Sequence, residues 1–169
     1  MKTYVFVDAC VIQAAGDRDK AKSEAVIICF NELIAEGYSL AISEITLFEN
    51  LQGLWGQREK KVADRLKGFE SKVVSKLVLR LAAILHGLYI QEKRNDIDVG
   101  DKILAATAIL EKGYILTENH KDFPPPFFTT KKSIAISYLK DGRVSKTIDL
   151  ALYEPNTKIL NRRINENER

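Results

Sequence analysis

Apolar residues along this chain alternate between short continuous runs and longer stretches in which they recur every three or four positions. Short apolar runs are typical of buried strands, and the three-to-four spacing is typical of helices packed on one face. The strands predicted from this pattern span residues 3–7, 39–42, 114–117, 134–139 and 144–152. Helices are predicted over residues 25–35, 44–49, 57–88 and 98–112. The alternation predicts an α/β fold with a mainly parallel central sheet and helices on both faces.

The last third of the chain follows a different pattern. Residues 123–127 contain three consecutive prolines, which lack the amide hydrogen that regular structure needs, so a loop is predicted there. Two β-like runs flank residues 140–143, whose sequence Lys-Asp-Gly-Arg is typical of a tight hairpin turn. We therefore expect a main unit over residues 1–128, a C-terminal β-hairpin extension over residues 129–160 packed on the same domain, and a frayed polar tail over residues 161–169.

The composition fits one globular domain. Of the 169 residues, 46% are hydrophobic, which is enough for a sizeable core and excludes a disordered chain. The net charge of +3 does not by itself indicate a nucleic-acid partner. Residues 57–80, however, carry eight basic and three acidic side chains, so this segment has more positive charge than the chain as a whole.

Cysteine usage and hydropathy bear on the compartment. Cys10 and Cys29 each lie in an apolar run, where a free thiol acts as a small buried hydrophobe, and two cysteines are too few for a disulfide framework. The segment over residues 1–8 is charged too early for the apolar core of a secretory signal, and no apolar stretch is long enough for a membrane span. We expect a cytoplasmic protein without a membrane partner.

Carboxylates occur where the predicted strands and helices meet. Asp8 comes directly after the first strand, Glu49 lies in the second predicted helix, and Asp101 lies near the start of the last one. Because ligands bind beyond the carboxyl ends of parallel strands, these side chains can converge there. Each also has a simple structural explanation. Asp8 could cap a turn, Glu49 could be an exposed helix residue, and Asp101 could form a capping box with Asp98.

A fourth group of polar side chains follows the strand over residues 114–117. Glu118, Asn119 and Asp122 lie in this loop, and the sequence alone does not distinguish among them as site residues. Converging carboxylates repel one another unless a cation neutralises them, and hard divalent cations prefer oxygen ligands. Such cations activate water and stabilise a leaving oxygen, which is what phosphodiester hydrolysis requires.

The ordered set of motifs over residues 4–123 resembles PIN domains, especially the VapC-like toxin ribonucleases of type II toxin–antitoxin pairs. The set consists of strand-Asp, Ser-x-x-Thr-x-x-Glu, Asp-x-x-Leu-Ala-Ala-x-Ala and strand-Thr-x-Asn-x-x-Asp-Phe. The resemblance implies a three-layer α/β/α sandwich whose nuclease domain covers residues 1–128. It also implies hydrolysis of RNA by an endoribonuclease that uses Mg²⁺ or Mn²⁺.

The same resemblance implies roles for individual residues. By motif, Asp8, Glu49 and Asp101 take the catalytic and metal-binding positions, and Asn119 or Asp122 takes a further metal position. Candidate substrate contacts are Ser43, Arg58, Lys61, Arg65 and Thr117. The implied partners are RNA, a protein antitoxin and a second copy of the chain. An antitoxin groove, a dimer contact and core packing are alternative roles for Leu51, Leu54, Trp55, Leu66 and Phe69.

The sequence departs from the family pattern at two places. Ala9 and Cys10 follow Asp8 where family members commonly have Thr-Asn or Ser-Ser, and Asn119 stands where many have Asp. These changes leave open a PIN-fold protein that binds RNA or a partner without cutting it. A phosphotransfer domain also places an Asp after its first strand. A phosphatase of the haloacid-dehalogenase type would need a second Asp where Cys10 stands, and a receiver domain would need an acidic pair before the Asp.

Overall fold

The computed structural model describes residues 2–167. Its strands are β1 (Thr3–Val7), β2 (Tyr38–Ser43), β3 (Glu70–Lys72), β4 (Tyr114–Thr117), β5 (Phe128–Lys140) and β6 (Val144–Pro155). Its helices are α1 (Ala9–Ala15), α2 (Lys20–Ala35), α3 (Glu44–Leu51), α4 (Gln57–Leu66), α5 (Lys76–Gln91), α6 (Val99–Leu110) and α7 (Thr157–Asn167). No helix within these residues is long and apolar enough to cross a bilayer.

Six strands form one sheet in the order β3-β2-β1-β4-β6-β5. Strands β3, β2, β1 and β4 run parallel, whereas β6 is antiparallel to β4 and β5 is antiparallel to β6. Phe6 pairs with Ala41 of β2, and Val7 pairs with Leu116 of β4. This register brings the carboxyl ends of β1, β2 and β4 to the same edge of the sheet, where ligands bind in α/β proteins.

Alternate residues of β1 face opposite helical layers. Phe6 belongs to a core cluster that includes Leu85 of α5 and Leu104 of α6. Val5 and Val7 belong to a second cluster on the other face, formed with α1 and α2. All three β1 residues are fully buried. The predicted three-layer α/β/α sandwich with a mainly parallel sheet is confirmed, and the double burial explains why β1 is apolar almost throughout.

The predicted C-terminal hairpin is present and extends the central sheet. Strands β5 and β6 pair along nearly their whole length, and their turn has positive φ at Asp141 (52°) and Gly142 (68°). Residues 151–153 of β6 also pair with β4, so the second arm of the hairpin is an inner strand. The boundary at residue 128 between a main unit and an extension stays a prediction.

The helix predicted across residues 57–88 is wrong in its middle. Helix α4 ends at Leu66, and β3 then joins the sheet beside β2 before α5 begins. Strand β3 has only three residues, and its Glu70 accepts hydrogen bonds from Lys2, Tyr4 and Lys72. Such a short polar edge strand has no apolar alternation, so the pattern of a charged helix concealed it.

Two further segments differ from the sequence prediction. Residues 9–15 form α1, whose short apolar run is separated from β1 only by Asp8 and gave no separate helical signal. The tail predicted to fray from residue 161 instead continues α7, which buries Leu160 and joins α5 through a hydrogen bond from Arg163 to Gln91. Residues 168–169 of the predicted tail lie outside the described residues.

Candidate active site

Asp8 is held in place at the end of β1 by side chains from two segments. The residue is only 6% exposed, and its Oδ2 accepts hydrogen bonds from Thr117 Oγ1 at 2.6 Å and from Cys10 Sγ at 3.2 Å. The side chain makes no capping bond to α1, so capping does not explain this carboxylate. Within residues 2–167, Oδ1 of Asp8 accepts no hydrogen bond. The carboxylate is therefore fixed at one oxygen, and the other is available to a ligand.

Thr117 is oriented by its own neighbour in the loop after β4. Its Oγ1 accepts a hydrogen bond of 2.8 Å from the backbone N–H of Asn119. With that acceptor position occupied, the hydroxyl proton is directed to Asp8. Thr117 and Asp8 are 109 positions apart in the chain, and the parallel pairing of β1 with β4 brings them together.

Glu49 reaches the site because of a glycine on a neighbouring helix. It is partly buried in the second turn of α3, with Oε1 lying against Gly100 at the start of α6. A Cβ at Gly100 would lie 2.1 Å from this oxygen and 3.7 Å from Cγ1 of Ile45, one turn earlier on α3. The absence of a side chain at Gly100 therefore lets Glu49 approach the first turn of α6, and Glu49 is not simply an exposed helix residue.

Asp98 and Asp101 have different roles at the start of α6. Asp98 is the N-cap, and its side chain accepts a hydrogen bond of 3.1 Å from the backbone N–H of Gly100. Asp101 makes no side-chain hydrogen bond to any described residue, so the reciprocal bond of a capping box is missing. Ala105, Ala106 and other small residues of α6 are fully buried, which gives the close packing that brings Asp101 to the strand ends.

The loop after β4 contributes further polar side chains to the site. Asp122 is 3% exposed and accepts a hydrogen bond from the Asn119 side-chain amide, whereas Glu118 is exposed. The Arg94 guanidinium donates to Asp96 and to the Lys121 carbonyl, tying this loop to the segment before α6. The loop therefore turns Asp122 inward, and of the three candidates Glu118 is the one directed to solvent.

Burial and mutual repulsion raise the pKa values of these carboxyl groups. Burial, followed by the charges of Asp122 and Asp8, raises the pKa of Asp101 to about 8. Burial, followed by the charge of Asp8, raises the pKa of Glu49 to about 7. Burial is also the main cause of the raised pKa of Asp122. Carboxylates from four separate segments are therefore near enough to repel one another.

This set of donors fits a hydrated divalent cation. No three His, Cys, Asp or Glu side chains among residues 2–167 are close enough to enclose a metal ion by themselves. Mg²⁺, however, usually binds one or two carboxylates and keeps several water molecules. The free Oδ1 of Asp8 and the repulsion around Asp101 both favour a cation at this edge. The residues present therefore fit Mg²⁺ or Mn²⁺ held partly through water.

The predicted basic substrate contacts lie on one helix beside the site. Arg58, Lys61 and Arg65 are exposed on α4. The Arg65 guanidinium donates a hydrogen bond of 3.4 Å to the Gly16 carbonyl, which brings it across the end of α1. Arg65 and Glu49 both line a cleft of 330 Å³ between α1, α3 and α4. The cleft therefore links the basic helix to the carboxylates.

The other two predicted substrate contacts lie inside the protein. Ser43 and Thr117 are fully buried. The Ser43 hydroxyl lies 3.2 Å from Thr107 Oγ1, which joins the end of β2 to α6. Both side chains therefore support the site from below, Thr117 by holding Asp8, and neither is accessible to a substrate.

Sequence reasoning did not find two features that shape the site. Cys10 was interpreted as a small buried hydrophobe and as a departure from the family pattern, yet its thiol donates a hydrogen bond to Asp8. Burial and the charge of Asp8 raise the pKa of Cys10 to about 12, so the thiol keeps its proton at neutral pH. In the sequence, Gly100 is only the glycine that precedes Asp101, and no pattern marks it as part of the site.

His120 and the apolar residues considered for a partner surface differ in their surroundings. His120 is tied to the hairpin, with Nε2 3.0 Å from the Asp149 carbonyl and Nδ1 3.3 Å from the Tyr153 hydroxyl. Leu66 is buried in the core, and Phe69 packs edge-on against another aromatic ring of that cluster. Trp55 is 86% exposed, so it does not belong to the core.

Comparisons with known proteins were made for both sequence and fold. No family model matches the chain. It is 37% identical over 103 residues to Ribonuclease VapC19 of Mycobacterium tuberculosis (strain ATCC 25618 / H37Rv), an alignment that covers 59% of this chain and 79% of the relative.

The fold resembles chains in two solved structures. A toxin–antitoxin complex from Klebsiella pneumoniae matches with a TM-score of 0.56 and 23% identity, covering 72% of this chain and 92% of the other. FitAcB from Neisseria gonorrhoeae matches with a TM-score of 0.57 and 21% identity, covering 70% and 91%. The 37% identity over most of the mycobacterial relative's length, together with the observed fold, shows that the chain belongs to the VapC family of PIN-domain ribonucleases.

Proposed function

We propose that this protein is a divalent-metal-dependent endoribonuclease that hydrolyses RNA phosphodiester bonds at the carboxylate cluster around Asp8. One observation carries the proposal. Carboxylates from four segments meet at the carboxyl edge of the sheet, where burial and, after it, the charges of the neighbouring carboxylates raise the pKa of Asp101 to about 8. Such repulsion destabilises the fold unless a bound cation neutralises it, so the cluster indicates a site that binds one. The family relationship to a named ribonuclease supports the same activity.

The residues of the site would divide the work. Thr117 and Cys10 hold one oxygen of Asp8, so the other points in a fixed direction toward the ligand. Glu49 reaches the first turn of α6, near enough for the charge of Asp8 to act on it, so it would help to hold the cation directly or through water. Asp101 and Asp122 supply further negative charge. A bound Mg²⁺ or Mn²⁺ would supply an acidified water and stabilise the leaving oxygen.

RNA would be drawn to the site by the basic face of α4. Arg58, Lys61 and Arg65 are spaced by three and four positions, so they lie on one side of the helix. Phosphate contacts of this kind do not depend on sequence and weaken as salt increases. Arg65 lies nearest the carboxylates because it lines the same cleft as Glu49.

We also propose a protein antitoxin as partner and a homodimer as the working form, in the cytoplasm. The solved toxin–antitoxin complex with a similar fold supports the first. Exposed apolar side chains on α5, among them Leu77, Ile84 and Ile90, support the second. Light scattering of the purified protein, alone and after co-expression with the product of an adjacent gene, tests both.

Cleavage of a mixed RNA pool by the purified protein tests the proposed activity. We expect cutting with Mg²⁺ or Mn²⁺, none in EDTA, and none from Asp8→Asn. Asp17→Asn is the matched control, because Asp17 is a surface carboxylate paired with Lys22. A folded protein that binds RNA but cuts it under none of these conditions would instead be a PIN-fold binding protein.

A further inference from the structure

We propose that the cleft between α1, α3 and α4 is a base-recognition subsite that takes one nucleotide of the RNA strand next to the cleaved phosphate. The inference rests on the proposed function, because Glu49 lines both the cleft and the carboxylate cluster. The cleft has a volume of 330 Å³, at the lower end of the range of about 300–1,000 Å³ typical of small-molecule sites. It suits one nucleotide and is too small for a folded partner.

Apolar side chains line part of the cleft. Ile12 of α1, Leu54 after α3 and Val62 of α4 contribute this surface. Ile12 is 5% exposed, and the other two are partly buried, so the surface is continuous with the core beneath it. Proteins recognise single-stranded RNA by taking unstacked bases out of solvent and stacking them on aromatic rings or on Arg guanidinium planes, and Arg65 of this lining offers such a plane. A base is the part of RNA that matches this lining.

Three carboxamides line the same cleft. Gln13 and Gln52 are exposed, and neither side chain makes a hydrogen bond to any of residues 2–167. Asn50 is 8% exposed and donates its amide to the Thr46 carbonyl at 2.9 Å, which fixes its orientation. A carboxamide offers a donor and an acceptor together, which is the pairing that reads the edge of a base. The cleft can therefore distinguish among bases.

The cleft also has a positively charged side chain, which would be the partner of a phosphate of the bound nucleotide. Arg65 crosses the end of α1, and a Cβ at Gly16 would lie 1.9 Å from Arg65 Nη1. Gly16 therefore provides the space that the guanidinium uses. Arg65 would contact a neighbouring phosphate, the carboxamides would contact the edge of the base, and Glu49 connects the cleft to the carboxylate cluster. The lining is therefore complementary to a nucleotide along its length.

The sequences at the cut ends of a random RNA pool test the subsite. We expect the wild type to favour one base beside the cut, and Gln13→Ala and Gln52→Ala together to reduce that preference by about fivefold or more. Gln57→Ala is the matched control, since Gln57 is an exposed amide on α4 that does not line the cleft. An unchanged base preference in the double variant would overturn the subsite and leave the nuclease intact.

Binding without cleavage separates the two proposals. Fluorescein-labelled oligo(A), oligo(C) and oligo(U) are titrated in EDTA, with anisotropy as the readout. We expect the wild type to discriminate among the three and the double variant to lose this discrimination. Discrimination in a protein that never cuts RNA would retain the subsite and refute the nuclease. Equal binding of all three by the wild type would refute the subsite whether or not the protein cuts.

Discussion

A methyl group added at Gly100 is expected to disable the site while leaving the fold intact. The new Cβ would lie 2.1 Å from Glu49 Oε1, whereas ordinary contacts begin at 3.4 Å. The carboxylate oxygen must therefore move by about 1.3 Å. A displacement of about 1 Å in a catalytic group costs on the order of 100-fold in rate. We expect Gly100→Ala to reduce the rate of RNA cleavage by roughly this factor.

Gly87→Ala is the matched control for this substitution. Gly87 lies inside α5, and a Cβ there would meet no atom within 4 Å. Replacing a helical glycine by alanine stabilises a protein by about 0.5–1 kcal/mol, which for a chain of this size raises Tm by about 2–4 °C per kcal/mol. We expect Gly87→Ala to raise Tm and keep the wild-type rate, and Gly100→Ala to keep Tm at or above wild type.

Cleavage rates of one labelled RNA, measured with Tm on the same samples, decide the outcome. A wild-type rate in Gly100→Ala would refute the reasoning, because Glu49 could then be displaced without loss. A large fall in Tm for Gly100→Ala would place the effect in the fold and contradict the argument that the flexible end of Glu49 absorbs the clash.

Three further predictions concern the charges and hydrogen bonds of the site. In EDTA the thermal stability of the wild type should fall as pH rises from about 4 to about 8, because the raised pKa of Asp101 makes the folded state bind more protons than the unfolded state. Asp101→Asn should flatten this fall, and a flat profile for the wild type would contradict the prediction. Thr117→Val removes the donor to Asp8 and should reduce cleavage by about 10- to 100-fold, whereas Thr117→Ser should retain it; equal loss in both would count against the hydroxyl. Arg65→Gln should weaken RNA binding and reduce, by about 0.7, the slope of the logarithm of the binding constant against the logarithm of the salt concentration. The control Lys158→Gln on α7 should leave this slope unchanged, and an unaltered slope in Arg65→Gln would show that Arg65 does not contact RNA.

The sheet was predictable where strands are buried on both faces. Residues 3–7 and 114–117 were predicted with their observed bounds because a doubly buried strand must be apolar throughout. Strand β3 was not predictable, because Glu70 and Lys72 stabilise it by polar contacts at the edge of the sheet. Helix α1 was missed because only Asp8 separates it from β1, and its seven residues are apolar except for Gln13.

The candidate site was predictable only as far as chain order reveals it. Asp8 could be named because it follows a strand whose carboxyl end lies at the ligand-binding edge of a parallel sheet, and Glu49 and Asp101 because their motifs resemble those of PIN domains. The hydrogen bond from Thr117 to Asp8 and the space at Gly100 depend on strand register and helix approach. No local pattern encodes either feature, which is also why Ser43 and Thr117 were predicted as substrate contacts although both are buried.

The most direct test of the central claim measures Mn²⁺ binding and RNA cleavage on the same samples of wild type, Asp8→Asn and Asp17→Asn. We predict that cleavage by the wild type and by Asp17→Asn rises with Mn²⁺ along the binding curve, and that Asp8→Asn loses both. Cleavage that persists in EDTA, or that Asp8→Asn retains at the wild-type rate, would contradict an active site built on these carboxylates.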